Sequence, residues 1–447
     1  MTSDTPPAPA ADDATEAPFP PPTAAESSSA RPRESQRIVG LDVARGFALL
    51  GIFLVNIDFM SLPVGATELI PEGKGDGLAW LFVEMFCEGK FYPLFSMLFG
   101  AGLILQKRNV EGRGAAFTPL YLRRLLFLSG FGLFHGLFLW YGDILFVYSF
   151  AGLLLLLASG FAGKTLLQIS GLLWFGAVVV MAGFAGLASI GSDENPFETS
   201  REAALETARN FELPEEILPI FAEGDIESKE WMAAEIGAYR DGPYLRTAGF
   251  RAVSFVFVSI ITLFAGLDIL AMFALGAALV KIGFFEEKGE RWRTRLVGLA
   301  MLVGLPLSTA SAVLPLAVQS YTGAVLSEVF RVVGGPILSL GYLSAALLLA
   351  QFGLFEKLLE LLAAAGRMAL TNYISQSLIG TFVMYSWGLG KFASVNGTER
   401  VLLVIVVFSC QLALSRFWLT RFRFGPLEWL WRSLTYWRRQ PMLRTAR

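Results

Sequence analysis

The chain has 447 residues, of which 54% are hydrophobic, 13% aromatic and only 17% charged, with a formal net charge of −2 and a mean hydropathy of +0.55. Such a composition excludes an ordinary soluble domain and reads as a polytopic, all-helical membrane protein, because a backbone crossing lipid must satisfy its own hydrogen bonds. Its basic residues are scattered over short loops and a tail, which argues against a nucleic-acid partner. Two distant cysteines, Cys87 and Cys410, and a single histidine argue against a metal centre, a disulfide framework or a bound cofactor.

Residues 1–36 are rich in Pro, Ala and Ser and have no apolar core, so they read as a disordered tail without the pattern of a cleavable signal. Crossing about 30 Å of hydrocarbon takes roughly 20 apolar residues. In chain order the qualifying segments are Val43–Leu62, Leu78–Leu105, Leu122–Trp140, Ile144–Ala162, Leu166–Ile190, Val253–Val280, Leu296–Val318, Val329–Gln351, Met368–Leu389 and Val401–Trp418, which makes ten spans. Lys and Arg then fall on one side, among them Arg31, Lys107, Arg108, Arg123, Arg124, Lys164, Arg291, Arg293, Arg421 and Arg438. That side is the cytoplasmic one by the positive-inside rule, so both termini are expected there.

The loop 191–250 falls on the opposite side and is acidic, with Glu194, Glu198, Glu202, Glu215, Glu216 and Asp225. Its NPFETSREAALETARNF stretch reads as a helix begun by Pro196, and the insertion as a small helical cap. The chain divides into membrane halves of five spans each, 37–190 and 251–420, separated by this insertion and followed by a basic tail, 421–447. No sequence repeat relates the halves. The tail stretch FRFGPLEWLWRSLTYWRRQPM mixes Trp and Arg as an interfacial amphipathic helix does.

Polar residues within the spans take a depth from this topology. Span three runs outward from Arg123 and Arg124 and carries His135 near its outer end, followed by Trp140, Tyr141 and the Gly142-Asp143 turn. Asp143 suits the N-cap of span four. Span two brings Glu84, Glu88 and Lys90 to the same level, with Gly89 and Pro93 allowing a helix break, and span one delivers Asn56 and Asp58 there. Asp42 and Arg45 open span one at the inner face, and the second half offers Asp268 and the set Asn372, Tyr373 and Gln376.

Each has a structural reading. Arg123 and Arg124 serve as interface anchors, Asp42 as a helix cap, Glu84 and Glu88 as the wet lip of a loop, and Asn372, Tyr373 and Gln376 as polar glue between helices. His135 is hardest to account for by packing, since a histidine in lipid must hydrogen-bond and Leu would fill the space without that need.

The stretches RIVGLDVARGFALLGIFLVNI, KFYPLFSMLFGAGL, YLRRLLFLSGFGLFHGLFLWYGDIL, GRMALTNYISQSLIG and FGPLEWLWRSLTY, in this order, resemble the YeiB-like family of bacterial inner-membrane proteins, a domain of unknown function, from about Arg37 to Thr435. The first half also resembles, more distantly, the transmembrane acyltransferases typified by heparan-α-glucosaminide N-acetyltransferase, through an LDxxRG opening at Leu41, Asp42, Arg45 and Gly46 and a following Val55-Asn56. This second resemblance implies an enzyme that passes an acyl group from cytoplasmic acyl-CoA across the membrane to an acceptor.

Two expectations follow for function. In acyl transfer, His135 is general base or transient acyl carrier, Asp143 orients it, and Arg45, Arg123 and Arg124 hold the donor's phosphates. Asp42, Asn56, Glu84, Glu88, Lys90, Asn372, Tyr373 and Gln376 complete the substrate set. In proton-coupled transport the same buried acids and histidine carry protons instead. A scaffold with the acidic loop as partner surface is a third option, membrane lipid is the expected surroundings, and self-association into a homo-oligomer is left open.

Overall fold

The computed structural model describes residues 38–63, 74–190, 229–318 and 321–444. The Pro-rich tail and the helix expected within NPFETSREAALETARNF lie outside the described residues. Among the described residues the chain is helical, with no strand beyond one isolated bridge between Phe422 and Leu443.

Six described stretches are long and apolar enough to cross a membrane: 39–61, 117–139, 163–183, 287–317, 323–352 and 397–421. The other four expected spans are present as shorter or interrupted helices. The first half holds α1 (Val39–Ser61), α2 (Lys74–Phe86), α3 (Phe91–Glu111), α4 (Phe117–Phe134), α5 (Leu145–Ala158) and α6 (Gly163–Ile190). Next come α7 (Lys229–Ile236), α8 (Tyr244–Ala265), α9 (Leu267–Lys281), α10 (Glu290–Leu299), α11 (Leu305–Ala317) and α12 (Tyr321–Phe352). The chain closes with α13 (Glu356–Arg367), α14 (Ala369–Met384), α15 (Gly397–Arg421) and α16 (Pro426–Thr435).

The span expected over 78–105 breaks between α2 and α3, where Gly89 takes a left-handed φ of 74°. Backbone groups freed in an apolar surrounding need partners, and α12 supplies them. The Ser339 hydroxyl donates to the Lys90 carbonyl, Tyr342 donates to the Phe86 carbonyl at 3.0 Å, and Gly335 has no side chain to collide with the Gly89 carbonyl. The span expected over 253–280 divides in the same way at Gly266, which ends α8 and begins α9.

The helices that follow these two breaks pack on each other with backbones nearly touching. A Cβ on Gly100 of α3 would lie 2.0 Å from the Phe273 carbonyl oxygen, and one on Gly276 of α9 would lie 1.9 Å from that of Met97. Both glycines and both carbonyl residues are 176 positions apart, as are Tyr92 and Asp268, which hydrogen-bond at 2.6 Å. A constant offset means that α3 and α9 run parallel. Their sequences align there as LFSMLFGAGL (94–103) and LAMFALGAAL (270–279), a local likeness between the halves that two isolated glycines do not advertise. Small residues at such crossings let membrane helices gain dispersion contacts that lipid tails cannot offer. α1 and α13 use the same device, with Gly46 against the Leu362 carbonyl and Gly366 against that of Asp42.

α13 and α14 meet at Met368 and run in series along α1. The first-turn N–H groups of α14 are capped from the tail: the Glu428 carboxylate accepts from the Leu370 and Thr371 amides, at 2.6 and 3.0 Å, and from the Thr371 hydroxyl at 2.6 Å. Trp431, buried, donates its indole N–H to the Arg124 carbonyl at 2.9 Å, and the Arg124 guanidinium lies 3.6 Å over the Trp431 ring. The tail helix α16 is thus docked into the bundle, which is more than the surface anchor its composition suggests. Charge-assisted hydrogen bonds are worth about 1.5–3 kcal/mol. Glu428→Ala is therefore expected to lower the unfolding midpoint in detergent and to expose the tail to limited proteolysis, and unchanged cleavage would refute this cap.

Lys107 and Lys281, at the ends of α3 and α9, both reach Ser159 after α5, through its hydroxyl at 3.0 Å and its carbonyl at 2.8 Å. Three of the expected basic loops thereby meet at one end of the bundle. At the other end of α1, Asp58 pairs with Arg400 of α15 at 2.7 Å.

Candidate functional site: a buried histidine beside a cavity at two helix breaks

α4 does not end as an ordinary helix. From His135 to Leu139 the turns widen, with the Trp140 N–H donating to the His135 carbonyl five residues back at 2.9 Å. Such π-turns are rare and cluster at functional sites. They also leave carbonyls short of partners, and here Arg251 of α8, fully buried, supplies them: its Nε donates to the Leu137 carbonyl at 2.8 Å and its Nη1 to that of Leu139 at 3.3 Å.

This widened turn holds His135, itself 0% exposed, against Asp143, 5% exposed. His135 Nδ1 lies 2.9 Å from Asp143 Oδ1, and Asp143 Oδ2 accepts the Phe146 N–H at 2.7 Å. One carboxylate therefore caps α5 and orients the imidazole at once. With Asp143 as acceptor one proton resides on Nδ1, so in the neutral ring the lone pair is on Nε2, which has no hydrogen-bond partner among the described residues. A buried basic nitrogen in this state can take a proton from an acceptor or attack a carbonyl carbon.

The approach depends on Gly132. A Cβ there would lie 2.7 Å from Asp143 Oδ2 and 2.4 Å from the Phe146 nitrogen. Gly132→Ala is expected to push the α5 N-terminus away and break the pair, seen as loss of the histidine's Nδ1–H signal in NMR of protein labelled at its one histidine. Retention of that signal would show that the site tolerates the methyl.

The His135 ring packs against Tyr373 of α14, with centroids 5.0 Å apart. Tyr373 in turn lines a cavity of about 360 Å³ at the two helix breaks. Its walls come from α1 (Ile52, Val55, Asn56), the α2–α3 break (Cys87, Glu88, Gly89, Phe91, Tyr92), the turn before α5, Tyr148, and the α8–α9 break (Thr262, Gly266, Asp268, Ile269). Tyr148 stitches the wall together: its hydroxyl donates to the Tyr92 carbonyl at 3.0 Å and accepts from the Ser96 hydroxyl at 2.7 Å.

The outer cluster expected from sequence thus separates into parts. Asn56 and Glu88 line the cavity, whereas Glu84 pairs with Arg331 at 3.4 Å and its carbonyl accepts from Lys90 Nζ at 2.6 Å. Asn372 and Gln376 join helices: Asn372 donates to the Ala365 carbonyl and to Ser415, and Gln376 donates to Gln411 at 2.9 Å. At the far end Arg45 pairs with Asp42 at 3.0 Å, while Arg123 has a buried Nε with no partner among the described residues. Arg251, Tyr92, Arg400 and Glu428 were not singled out from the sequence. Arg251 stands two residues before the expected span Val253–Val280, five after Arg246, where it reads as one more residue of the preceding loop.

The long apolar helices and the polar groups sealed among them define a multi-pass helical membrane protein. Residues 279–438 match the family described as "Protein of unknown function (DUF418)". The uncharacterized protein YxaH of Bacillus subtilis (strain 168) is 31% identical over 423 residues, covering 92% of this chain and 98% of its own. The uncharacterized protein YeiB of Escherichia coli (strain K12) is 30% identical over 413 residues, covering 90% and 96%. No solved structure matches the chain. The chain belongs to the YeiB-like family.

Proposed function

We propose that the protein is an acyltransferase of the bacterial plasma membrane that moves an acyl group from cytoplasmic acyl-CoA to an acceptor held in the cavity beside His135. The observation that carries this reading is the His135–Asp143 pair, whose Nε2 has no hydrogen-bond partner among the described residues. His135 takes the proton of the acceptor hydroxyl or amine as its oxygen or nitrogen attacks the thioester carbonyl carbon. The C–S bond breaks, and the imidazolium returns the proton to the departing thiolate, so ester or amide and free coenzyme A result. Arg45, Arg123 and Arg124 are the groups proposed to meet the donor's phosphates. Arg124 lies eleven residues from His135, roughly 17 Å along the helix at 1.5 Å per residue, a distance suited to an extended pantetheine arm.

The test is coenzyme A release from acetyl-CoA and longer acyl-CoAs by the protein in liposomes, with and without hydroxyl and amine acceptors. Release that requires an acceptor supports the reading, and no release from any donor overturns it.

One observation favours a carrier instead: two interrupted helices meet at a cavity lined by carboxylates, the arrangement transporters use for coupling ions. Solute accumulation that collapses with the proton gradient, with the solute chemically unchanged, would decide for it.

A further inference from the structure

The cavity has a chemical character of its own, separate from His135. Its polar lining residues include Glu88, Asp268 and Asn56, and no Lys or Arg is among the described lining residues. Asp268 accepts the Tyr92 hydroxyl at 2.6 Å, which fixes its carboxyl at the cavity wall. Glu88 has the acids Glu84 and Glu328 nearby, and Arg331 pairs with both of these, at 3.4 and 3.1 Å, which leaves Glu88 and Asp268 with no ion pair among the described residues. Buried carboxyl groups are costly as free anions and are relieved by a proton or by a cationic partner, so a cavity that presents two of them can receive a cation.

The remaining wall is aromatic, from Phe91, Tyr92, Tyr148 and Tyr373. Tyr373 is only 6% exposed, and its hydroxyl lies beside the Ile144 amide without a well-formed hydrogen bond to any described group. A polar atom so buried in a cavity wall points to an occupant that supplies its partner. A metal ion fits poorly, because no group of three His, Cys, Asp or Glu among the described residues could hold one. Carboxylates combined with aromatic faces are instead the surroundings that receive alkylammonium groups, by charge and by cation–π attraction.

We infer that the cavity between the α2–α3 and α8–α9 breaks is a binding site for a small organic ammonium compound. The volume, about 360 Å³, suits a molecule of a dozen or so heavy atoms at most. This site stands whether or not His135 performs chemistry, because a quaternary ammonium head offers no proton to a base.

The experiment uses the full chain in nanodiscs, with choline as probe, 3,3-dimethylbutan-1-ol as its neutral isostere and acetate as anion, read by calorimetry. Choline is expected to bind saturably and at least about tenfold more tightly than the isostere, and acetate not to bind. Asp268→Asn is expected to weaken choline about tenfold or more and to leave the isostere unchanged. Should that variant not fold, Glu88→Gln makes the same discrimination. His135→Ala is expected to retain choline binding, which separates this site from failure of the acyl-transfer reading. Equal binding of choline and its isostere, preference for acetate, no saturable choline binding, or unaltered choline affinity in both carboxamide variants would overturn the inference.

Discussion

His135→Ala is expected to lower acceptor-dependent coenzyme A release by roughly 10²–10⁴-fold, the usual contribution of a positioned general base, while leaving the fold intact. Folding should survive because the widened turn is held through its backbone: Arg251 bonds the Leu137 and Leu139 carbonyls whatever side chain stands at 135. Asp143 needs a finer test, since it has two jobs. Asn is about as good an N-cap as Asp, so Asp143→Asn keeps the hydrogen bond to the Phe146 amide while its NH₂ group can donate to Nδ1 and drive the imidazole proton onto Nε2. Activity should then fall nearly as far as with His135→Ala, with little change in stability. Asp143→Ala should lose both, with a further stability loss of about 0.5–2 kcal/mol. Because the two groups act as a unit, the double variant His135→Ala/Asp143→Asn should be no worse than His135→Ala alone. Full activity in Asp143→Asn with a stable fold would reduce Asp143 to a cap.

The sequence made this pair readable because both residues stand out against apolar surroundings and lie on either side of one tight turn. Proximity of that kind is local, and local relations survive in a linear reading. The fates of Asp58 and Glu84 were not readable for the opposite reason. Their partners, Arg400 and Arg331, lie 342 and 247 residues away, and depth in the membrane says which residues share a level, not which helices are neighbours. The helix breaks were half legible. Gly89 and Pro93 suggested one, but Gly266 sits in FAGLDIL, where Asp268 is the one polar residue and reads as a buried acid within a span, although it stands in the first turn of a new helix. Span counting by hydropathy is blind to such breaks. It measures how apolar a segment is and does not register whether its hydrogen bonds run on unbroken. The tail misled in a related way: an amphipathic helix looks the same whether its apolar face meets lipid or, as with Trp431, the bundle.

Gly100→Ala and Gly276→Ala are each expected to destabilise the protein by about 1–3 kcal/mol, the range for forcing extra atoms into a packed contact, and by similar amounts to one another. Ordinary helix substitution runs the other way, since Ala is favoured over Gly by nearly 1 kcal/mol in a helix interior. The sign reverses here because the new methyl would stand about 2 Å from a backbone carbonyl oxygen of the facing helix, and backbone cannot rotate aside as a side chain can. Gly130 of α4 supplies the internal control: nothing lies within 4 Å of its would-be Cβ, so Gly130→Ala should be neutral or stabilising. The consequence reaches the cavity. α3 and α9 begin at the two breaks, and the 2.6 Å Tyr92–Asp268 bond ties those beginnings together, so helices held apart at Gly100 and Gly276 must stretch that bond and widen the space between Glu88 and Asp268. Denaturant unfolding in micelles together with choline calorimetry should therefore show stability and affinity falling in both α3 and α9 variants and neither falling in Gly130→Ala. If only one of the two crossing glycines is sensitive, the contact is not reciprocal in solution. If both are tolerated as Gly130 is, the backbones do not approach as closely as α3 and α9 do here.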